Sequence, residues 1–225
     1  MKILVCISQA PDTTSRIAFA DGDTAFDSNG VQYIVNPYDE WYALVRAIEL
    51  KEQQGGSVTT LTVGGAECDP IIRKALAIGA DDAVRVNAHP QDAMQVAQLI
   101  ADHARDESFD VILCGKETID HNGSVVPAMV AEMLDLPFVA LATRLEVEGD
   151  VAKMNREVGG GEESIEVSMP FVASAAKGMA EQRIPNMRGI MSARSKPLNV
   201  VEASVEASTS VSKFTLPPEK GACKM

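Results

Sequence analysis

Short apolar runs alternate with stretches of helical periodicity through the first 134 residues. The apolar runs predict strands buried on both faces at residues 2–8, 58–63, 82–86 and 109–114. Between the first two runs, Trp41, Leu44 and Ile48 recur at the spacing of one helix face. Because strand and helix keep alternating, we predict an α/β fold with a doubly wound, mostly parallel sheet and helices on both faces.

The first helix has a clear entry signal. Asn36 is a typical N-cap residue, Pro37 suits the first helical position, and Asp39 follows three residues after the cap. The glutamines and glycines at residues 53–56 predict where this helix ends.

Three more helices and one long loop complete this part of the chain. The helices are predicted at residues 71–78, behind an Asp69 cap and Pro70, from Gln91 or Asp92 to residue 104, and at residues 127–134. Residues 9–29 are polar and predict a long loop with a small hairpin near residue 22.

The pattern changes after Pro137. Strands are predicted at residues 138–148, 151–158, 164–169 and 171–176, as β-hairpin additions to the sheet. Residues 178–194 are polar and rich in Arg and Met, which fits either a solvated helix or a segment that docks a partner. We therefore expect an α/β domain over residues 1–195 and an extended C-terminal arm over 196–225 that packs on a partner subunit.

Composition narrows the functional classes. The 225 residues carry a formal net charge of −12, which disfavours binding to nucleic acid or to an anionic membrane surface. No apolar run approaches the length of a membrane span or a secretory signal, so we expect no membrane insertion and a cytoplasmic location. The four cysteines, far apart and without a CxxC pair, are interpreted as incidental thiols of a reducing compartment.

Residues 115–126 are the best candidate for an anion site. They follow a predicted strand and precede a predicted helix, whose first N–H groups lack partners and attract negative charge. An ordinary loop is the alternative. In a parallel sheet, ligands bind beyond the carboxyl ends of the strands where the strand order reverses, so residues 6–9, 36–39 and 63–65 are expected beside this loop.

Other chemistry has weak support. The three histidines have no metal-ligand spacing, so no metal site is expected. Ser124, His121 and Asp120 contain the residue types of a hydrolytic triad, but close neighbours in sequence rarely assemble one and no GxSxG is present. We interpret Asp120 as a loop-ordering carboxylate and Lys116 as a cation near a bound phosphate.

Five motifs in order resemble the beta subunit family of electron transfer flavoprotein. They are Val35-Asn36-Pro37-Tyr38-Asp39-Glu40, Lys74-Ala75-Leu76-Ala77-Ile78-Gly79-Ala80-Asp81-Asp82-Ala83, Gly115-Lys116-Glu117-Thr118-Ile119-Asp120, Arg156-Glu157-Val158-Gly159-Gly160 and Gly189-Ile190-Met191-Ser192-Ala193-Arg194. The resemblance spans nearly the whole chain. It implies an electron carrier subunit, not an enzyme, that pairs with an alpha subunit.

The resemblance also implies cofactors and sites. The alpha subunit would hold most of the redox FAD, while this chain would bind AMP, or a second FAD in an electron-bifurcating complex. The nucleotide contacts implied by the motifs are Cys6, Asn36, Pro37, Tyr38, Asp39, Val63, Gly64, Gly65, Gly115, Lys116, Glu117, Thr118, Ile119, Asp120, Asn122, Gly123, Ser124, Val125 and Val126. Acyl-CoA or other dehydrogenases would dock on residues 183–194, through Arg183, Met187, Ile190 and Met191.

The sequence departs from the family pattern at several positions. Val125 stands where many members have Gln, and Gly159 where Asp is usual, so backbone contacts are expected to matter more there. Gln182 and Ile184 replace the usual Pro and Tyr, and the final helical stretch expected of the family does not follow. The alternative hypotheses are a stand-alone adenine-nucleotide-binding module of the universal-stress-protein type and a small hydrolase that uses Ser124.

Overall fold

The chain folds around one large twisted sheet in a computed structural model that describes residues 1–37, 39–218 and 221. The strands, in chain order, are β1 (Lys2–Cys6), β2 (Gln9–Pro11), β3 (Phe19–Ala20), β4 (Ala25–Phe26), β5 (Tyr33–Val35), β6 (Ser57–Val63), β7 (Asp82–Asn87), β8 (Val111–Gly115), β9 (Phe138–Glu148), β10 (Val151–Val158), β11 (Gly161–Ser168), β12 (Phe171–Ala175) and β13 (Leu198–Glu202). The helices are α1 (Asp39–Gln54), α2 (Asp69–Ile78), α3 (Ala93–Arg105), α4 (Val126–Leu134) and α5 (Met187–Ala193), with a 3₁₀ turn at Ala66–Cys68.

Nine strands of the described chain form the main sheet, in the order β11-β10-β9-β12-β8-β1-β6-β7-β13. In this spatial order, each strand after β9 pairs in parallel with the one before it, up to β13 at the far edge. At the other edge, β10 pairs antiparallel with β9 and β11. The predicted mostly parallel α/β sheet with hairpin additions is confirmed. The chain runs outward from β1 through β6 to β7 and then crosses to β8, so the strand order reverses between β1 and β8.

Helices cover both faces of this sheet, as predicted. On one face, Ile3, Val5 and Val58 pack with Leu44 of α1 and Leu76 of α2. On the other face, the alternate strand positions pack against Ile100 of α3 and Val130 of α4. These strand residues include Leu4, Cys6, Leu61, Ile112 and Cys114. Alternation of side chains along β1 thus divides the apolar residues between two cores.

Two predictions about the early chain were only partly right. The hairpin near residue 22 is present as β3 and β4, but the predicted loop also contains β2, which pairs with β5. The Asp69 cap is wrong, because Cys68 precedes α2 and Asp69 is its first residue. The Asp69 carboxylate instead lies 2.8 Å from the buried Arg85 guanidinium, whose charge needs a partner.

The C-terminal arm is extended, and part of it is a strand that the sequence did not reveal. β13 joins the edge of the main sheet beside β7. Beyond it, the Thr209 hydroxyl donates to Asp92 at 2.6 Å, and Phe214 stacks on Phe19 with 5.2 Å between ring centroids. The described part of the arm therefore runs from the sheet edge to the small hairpin.

Candidate functional site

A cavity of about 330 Å³ lies beyond the carboxyl ends of β1, β6, β7 and β8. It opens where the strand order reverses, which is the position expected for a ligand in a sheet of this type. Residues 115–127 form one wall, the turn after β1 forms the floor, and residues 88–93 form the opposite wall.

Most of the sequence-predicted site residues surround this cavity. Those that line it are Cys6, Val63, Gly64, Gly115, Lys116, Glu117, Thr118, Asp120, Gly123, Ser124, Val125 and Val126. The cavity lining does not include Asn36, Pro37, Asp39, Gly65, Ile119 or Asn122. Tyr38 lies outside the described residues.

Asn36 fixes the loop at residues 115–126 from behind the cavity wall. Its side-chain amide donates to the Glu117 carbonyl at 2.9 Å and accepts from the Ile119 N–H at 3.0 Å. The predicted N-cap role is therefore wrong, and α1 begins at Asp39 rather than at Pro37. The Asn36 side chain is fully buried and supplies both an acceptor and a donor to the part-buried loop backbone.

The first turn of α1 presses against the same loop. A Cβ atom at Gly115 would lie 2.6 Å from Glu40 Cγ and 2.9 Å from the Glu40 backbone nitrogen, so only glycine allows this approach. The Asp39 carboxylate accepts a hydrogen bond from the Glu117 backbone. The start of α1 and the loop at 115–126 are thus one packed unit.

Glu40 is the most unusual ionisable group at the cavity. Its carboxylate accepts from the Ser8 N–H at 2.7 Å and from the Ser8 hydroxyl at 2.9 Å. Burial away from water raises the pKa of Glu40 to about 8, and the Ser8 hydrogen bonds offset only part of this effect. Burial likewise raises the pKa of Asp39 to about 6, against the opposing charge of Lys116.

These shifts predict a stability that falls as pH rises. Because the folded-state pKa of Glu40 exceeds the unfolded value of 4.5, the folded chain holds an extra proton between about pH 4.5 and about pH 8. The contribution of Glu40 to the free energy of unfolding then declines by up to about 1.4 kcal/mol per pH unit in that window and levels off above it. Glu40→Gln should remove this dependence, so the variant should gain stability relative to the unmodified chain between pH 6 and pH 8, as measured by urea denaturation.

The matched control is Glu181→Gln, which removes the same charge from an exposed position. Its stability should follow the curve of the unmodified chain at each pH. A constant difference between Glu40→Gln and the unmodified chain across the window would show that Glu40 holds no extra proton in the folded state.

The polar side chains inside the loop bind each other rather than forming a catalytic set. The Ser124 hydroxyl donates to Glu117 at 2.9 Å, and Lys116 lies 3.3 Å from the same carboxylate. His121 is exposed, with Asp120 at 3.8 Å. The Ser124 hydroxyl therefore bonds to a carboxylate and not to the histidine that a triad would require, which weighs against the hydrolase hypothesis.

Gly64 and Gln9 also line the cavity. A Cβ atom at Gly64 would lie 2.4 Å from the Cys68 sulfur, so this glycine lets Cys68 pack against the end of β6. The Gln9 Oε1 atom lines the cavity, is buried, and has no hydrogen-bond partner in the described part of the chain. A buried acceptor in this state favours a ligand with an N–H donor, such as an exocyclic amino group.

Sequence reasoning missed several residues that line the cavity. They are Glu40, Leu61, Glu67, Cys68, Ala88, His89, Pro90, Gln91, Asp92, Ala93, Val96, Ile100, Cys114 and Pro127, whereas the expected residues 7–9 do line it. The rule that ligands lie beyond the carboxyl ends of neighbouring strands applies equally to β7. Applied there, it would have pointed to the segment at residues 88–93. Three of the cysteines that were interpreted as incidental, Cys6, Cys68 and Cys114, also lie at this cavity.

The segment predicted to dock a partner is held away from the cavity on α2. The Arg73 guanidinium donates to the Ala193 and Lys196 carbonyls, and a Cβ atom at Gly189 would meet the Ala77 carbonyl oxygen at 2.3 Å. This close packing leaves an apolar patch in solvent, made of Ile184, Met187, Ile190 and Met191. Arg183 is partly buried and pairs with Glu52 at 2.8 Å.

Neither a metal centre nor a membrane span is found among the residues that the structure describes. Their His, Cys, Asp and Glu side chains form no group of three that could hold a metal ion. None of their helices combines the length and the apolar character needed to cross a membrane.

Comparison with known proteins identifies the family. The model of the electron transfer flavoprotein domain matches residues 23–206. The chain is similar to the electron transfer flavoprotein subunit beta of Bacillus subtilis (strain 168), with 36% identity over all of this chain and 91% of the relative. The subunits beta of Syntrophomonas wolfei and Homo sapiens are 37% and 31% identical, each over 99% of this chain and over 88% and 91% of the relative. The chain belongs to the electron transfer flavoprotein beta subunit family.

Proposed function

We propose that this chain is the beta subunit of a heterodimeric electron transfer flavoprotein that works in the cytoplasm. Its partner, an alpha subunit, holds most of the redox FAD, which carries electrons from a dehydrogenase to an acceptor. This chain binds an adenine nucleotide in the cavity beyond β1 and β8, forms one of the two subunits of the complex and docks the dehydrogenase. It is an electron carrier subunit and performs no bond chemistry of its own.

The observation that carries this proposal is the position of the loop at residues 115–126. The loop lines a cavity where the strand order reverses, and the helix that follows it, α4, points its N-terminus toward the same space. The first N–H groups of a helix lack partners within it and attract phosphate oxygens. Lys116 adds one positive charge at this wall.

The nucleotide is held in this proposal by backbone groups more than by side chains. Val125 offers no hydrogen bond from its side chain, and the Ser124 hydroxyl is already donating to Glu117. The Gln9 Oε1 atom, which has no hydrogen-bond partner among the described residues, would accept from the adenine amino group. Gly64 lines the same cavity and adds no side chain of its own. AMP is the nucleotide for a non-bifurcating complex, and a second FAD would take the same place in a bifurcating one.

Co-expression with the alpha subunit tests the proposal. We expect a yellow one-to-one complex, and denaturation of the complex should release FAD together with AMP or a second equivalent of FAD, identified by chromatography and mass spectrometry. A colourless monomer without a bound adenine nucleotide would overturn the proposal. ATP bound by the lone chain, with no affinity for the alpha subunit, would favour the universal-stress-protein type of module.

The exposed patch on α5 is proposed as the dehydrogenase docking site. Met187 and Met191 are 72% and 69% exposed, and they stand one helical turn apart on a helix fixed to α2. Flexible thioethers suit a contact that must adapt to its partner. An acyl-CoA dehydrogenase or another flavin-dependent dehydrogenase is the expected partner.

Met187→Ala combined with Met191→Ala is expected to weaken docking without unfolding the chain. Because both side chains are exposed, the free energy of unfolding should change by less than about 0.5 kcal/mol. Loss of two apolar contacts at an interface should raise the KM for the complex by about tenfold or more in a dehydrogenase-coupled assay. Met94→Ala, which alters an exposed methionine on α3, is the control and should leave this KM unchanged.

A further inference from the structure

Two cysteines lie side by side on the floor of the cavity. Cys6 ends β1 and Cys114 lies near the end of β8, and these two strands pair in parallel with Val5 opposite Leu113. One step along that register places Cys6 opposite Cys114. Both side chains lie on the sheet face that packs against α3 and α4, so they point to the same side.

The distance between the two residues suits a disulfide bond. Neighbouring strands of a sheet lie about 4.8 Å apart, and the Cα atoms of disulfide-bonded cysteines lie about 4.4 to 6.8 Å apart. The pKa of Cys6 is raised first by a hydrogen bond with the Cys114 side chain, which agrees with this placement of the two thiols. The strand pairing therefore brings both residues within the range of Cα distances at which a disulfide bond forms.

The pair is also reachable through the cavity. Cys6 and Cys114 are 7% and 3% exposed, and both line the cavity wall, whereas a thiol sealed in the core would have no route to a reagent. Cys68 lines the same cavity and is equally buried. It borders Glu67, Asp69 and Arg85 rather than another thiol, so the chain contains its own unpaired reference cysteine.

We propose that Cys6 and Cys114 form a dithiol–disulfide redox site on the cavity floor, oxidised by low-molecular-weight disulfides. In the first step, one cysteine of the pair, as its thiolate, attacks one sulfur of the oxidant, forms a mixed disulfide and releases one thiol. In the second step, the other cysteine attacks the sulfur of the first, forms the intramolecular disulfide and releases the second thiol. The chain loses two electrons and two protons, and the oxidant gains them as two thiols.

Intact mass measurement with 2-hydroxyethyl disulfide as the oxidant tests this site. The full-length chain, with Cys223 replaced by Ser and free of bound small molecules, is incubated at mildly alkaline pH, where more of the buried thiol ionises. Formation of the disulfide is expected to lower the mass of the chain by two hydrogen atoms, and reduction with dithiothreitol should restore the original mass. Trypsin should then release residues 3–16 linked to residues 106–116, which carry Cys6 and Cys114.

Single variants separate the pair from its neighbour. Cys6→Ser and Cys114→Ser should each abolish the loss of two hydrogen atoms and leave at most a mixed disulfide with the oxidant, whereas Cys68→Ser should behave like the parent chain. The peptide map of the parent chain needs no substitution of Cys6, Cys68 or Cys114, so the test holds even if one of these variants does not fold. Unreacted Cys6 and Cys114, separate adducts on each, or a link from either to Cys68 would overturn the proposal. No nucleotide or alpha subunit enters this test, so its failure leaves the proposed function standing.

Discussion

Replacing Gly115 with Ala is expected to destabilise the chain by about 1–3 kcal/mol, the usual effect of inserting a methyl group into packed structure. The added Cβ atom would lie 2.6 Å from Glu40 Cγ and 2.9 Å from the Glu40 backbone nitrogen. The Glu40 side chain is held by Ser8 and the backbone nitrogen belongs to α1, so neither contact can relax by a simple rotation. The loop at residues 115–126 must move instead, and we expect nucleotide affinity to fall by about tenfold or more.

Thermal unfolding and AMP titration by calorimetry would measure the two effects. Gly123→Ala is a closely matched control, because it adds the same methyl group eight residues away in the same loop. The nearest atom to a Cβ there is Val125 Cγ2, at an ordinary contact distance of 3.8 Å. Stability should change by less than about 0.5 kcal/mol in this control. Equal losses in both variants would mean that the contact between Gly115 and Glu40 is not what limits the loop.

Periodicity predicted most of the sheet because each strand carries its own signal. β9 and β10 have the predicted bounds, since an apolar alternation and a Gly-Asp turn are both local features. α3 lies within one or two residues of its predicted bounds, and the Asp92 carboxylate accepts from the Gln95 N–H at 2.7 Å as a capping residue should. The parallel pairing of most strands followed from the alternation of strand and helix.

β13 could not be found in this way. Its residues alternate weakly and stand among serines and glutamates, so nothing local distinguishes it from the rest of the arm. The strand forms because the backbone groups on the outer edge of β7 pair with five successive residues of the arm. Pairing of this kind depends on a distant partner and leaves no pattern in the sequence.

Long-range contacts also explain the errors at the candidate site. Asn36 stands in a sequence typical of a helix cap. Its side-chain amide instead forms hydrogen bonds with two backbone groups that are more than eighty residues away. Cys6 and Cys114 have no sequence motif, and only the parallel pairing of β1 with β8 brings them together. The loop at 115–126 was predictable because a strand, a turn and a helix start follow each other directly.

Asn36→Leu is expected to have the larger effect on stability, a loss of about 2–5 kcal/mol. The variant leaves the part-buried Glu117 carbonyl and Ile119 N–H without their partner, and each unsatisfied group costs up to about 1–3 kcal/mol. Leu keeps the branching of Asn and leaves no cavity, so the loss reports the missing hydrogen bonds together with the tighter fit of a larger side chain. Because these bonds hold the loop against α1, nucleotide affinity should fall with stability, and amide hydrogen exchange at residues 117–119 should accelerate.

Asn36→Asp separates the two hydrogen bonds. Its carboxylate can still accept from the Ile119 N–H, but it cannot donate to the Glu117 carbonyl, and it places a negative charge at a fully buried position beside Asp39. We expect a loss of stability in urea denaturation at pH 7 that shrinks as pH falls and the new carboxyl takes up a proton. Asn29→Ala, at an exposed asparagine whose side chain donates to Asp27 within the same turn, should change stability by less than about 0.5 kcal/mol. If Asn36→Leu lost no more stability than this control, the Asn36 amide would not be what holds the loop at residues 115–126 against α1.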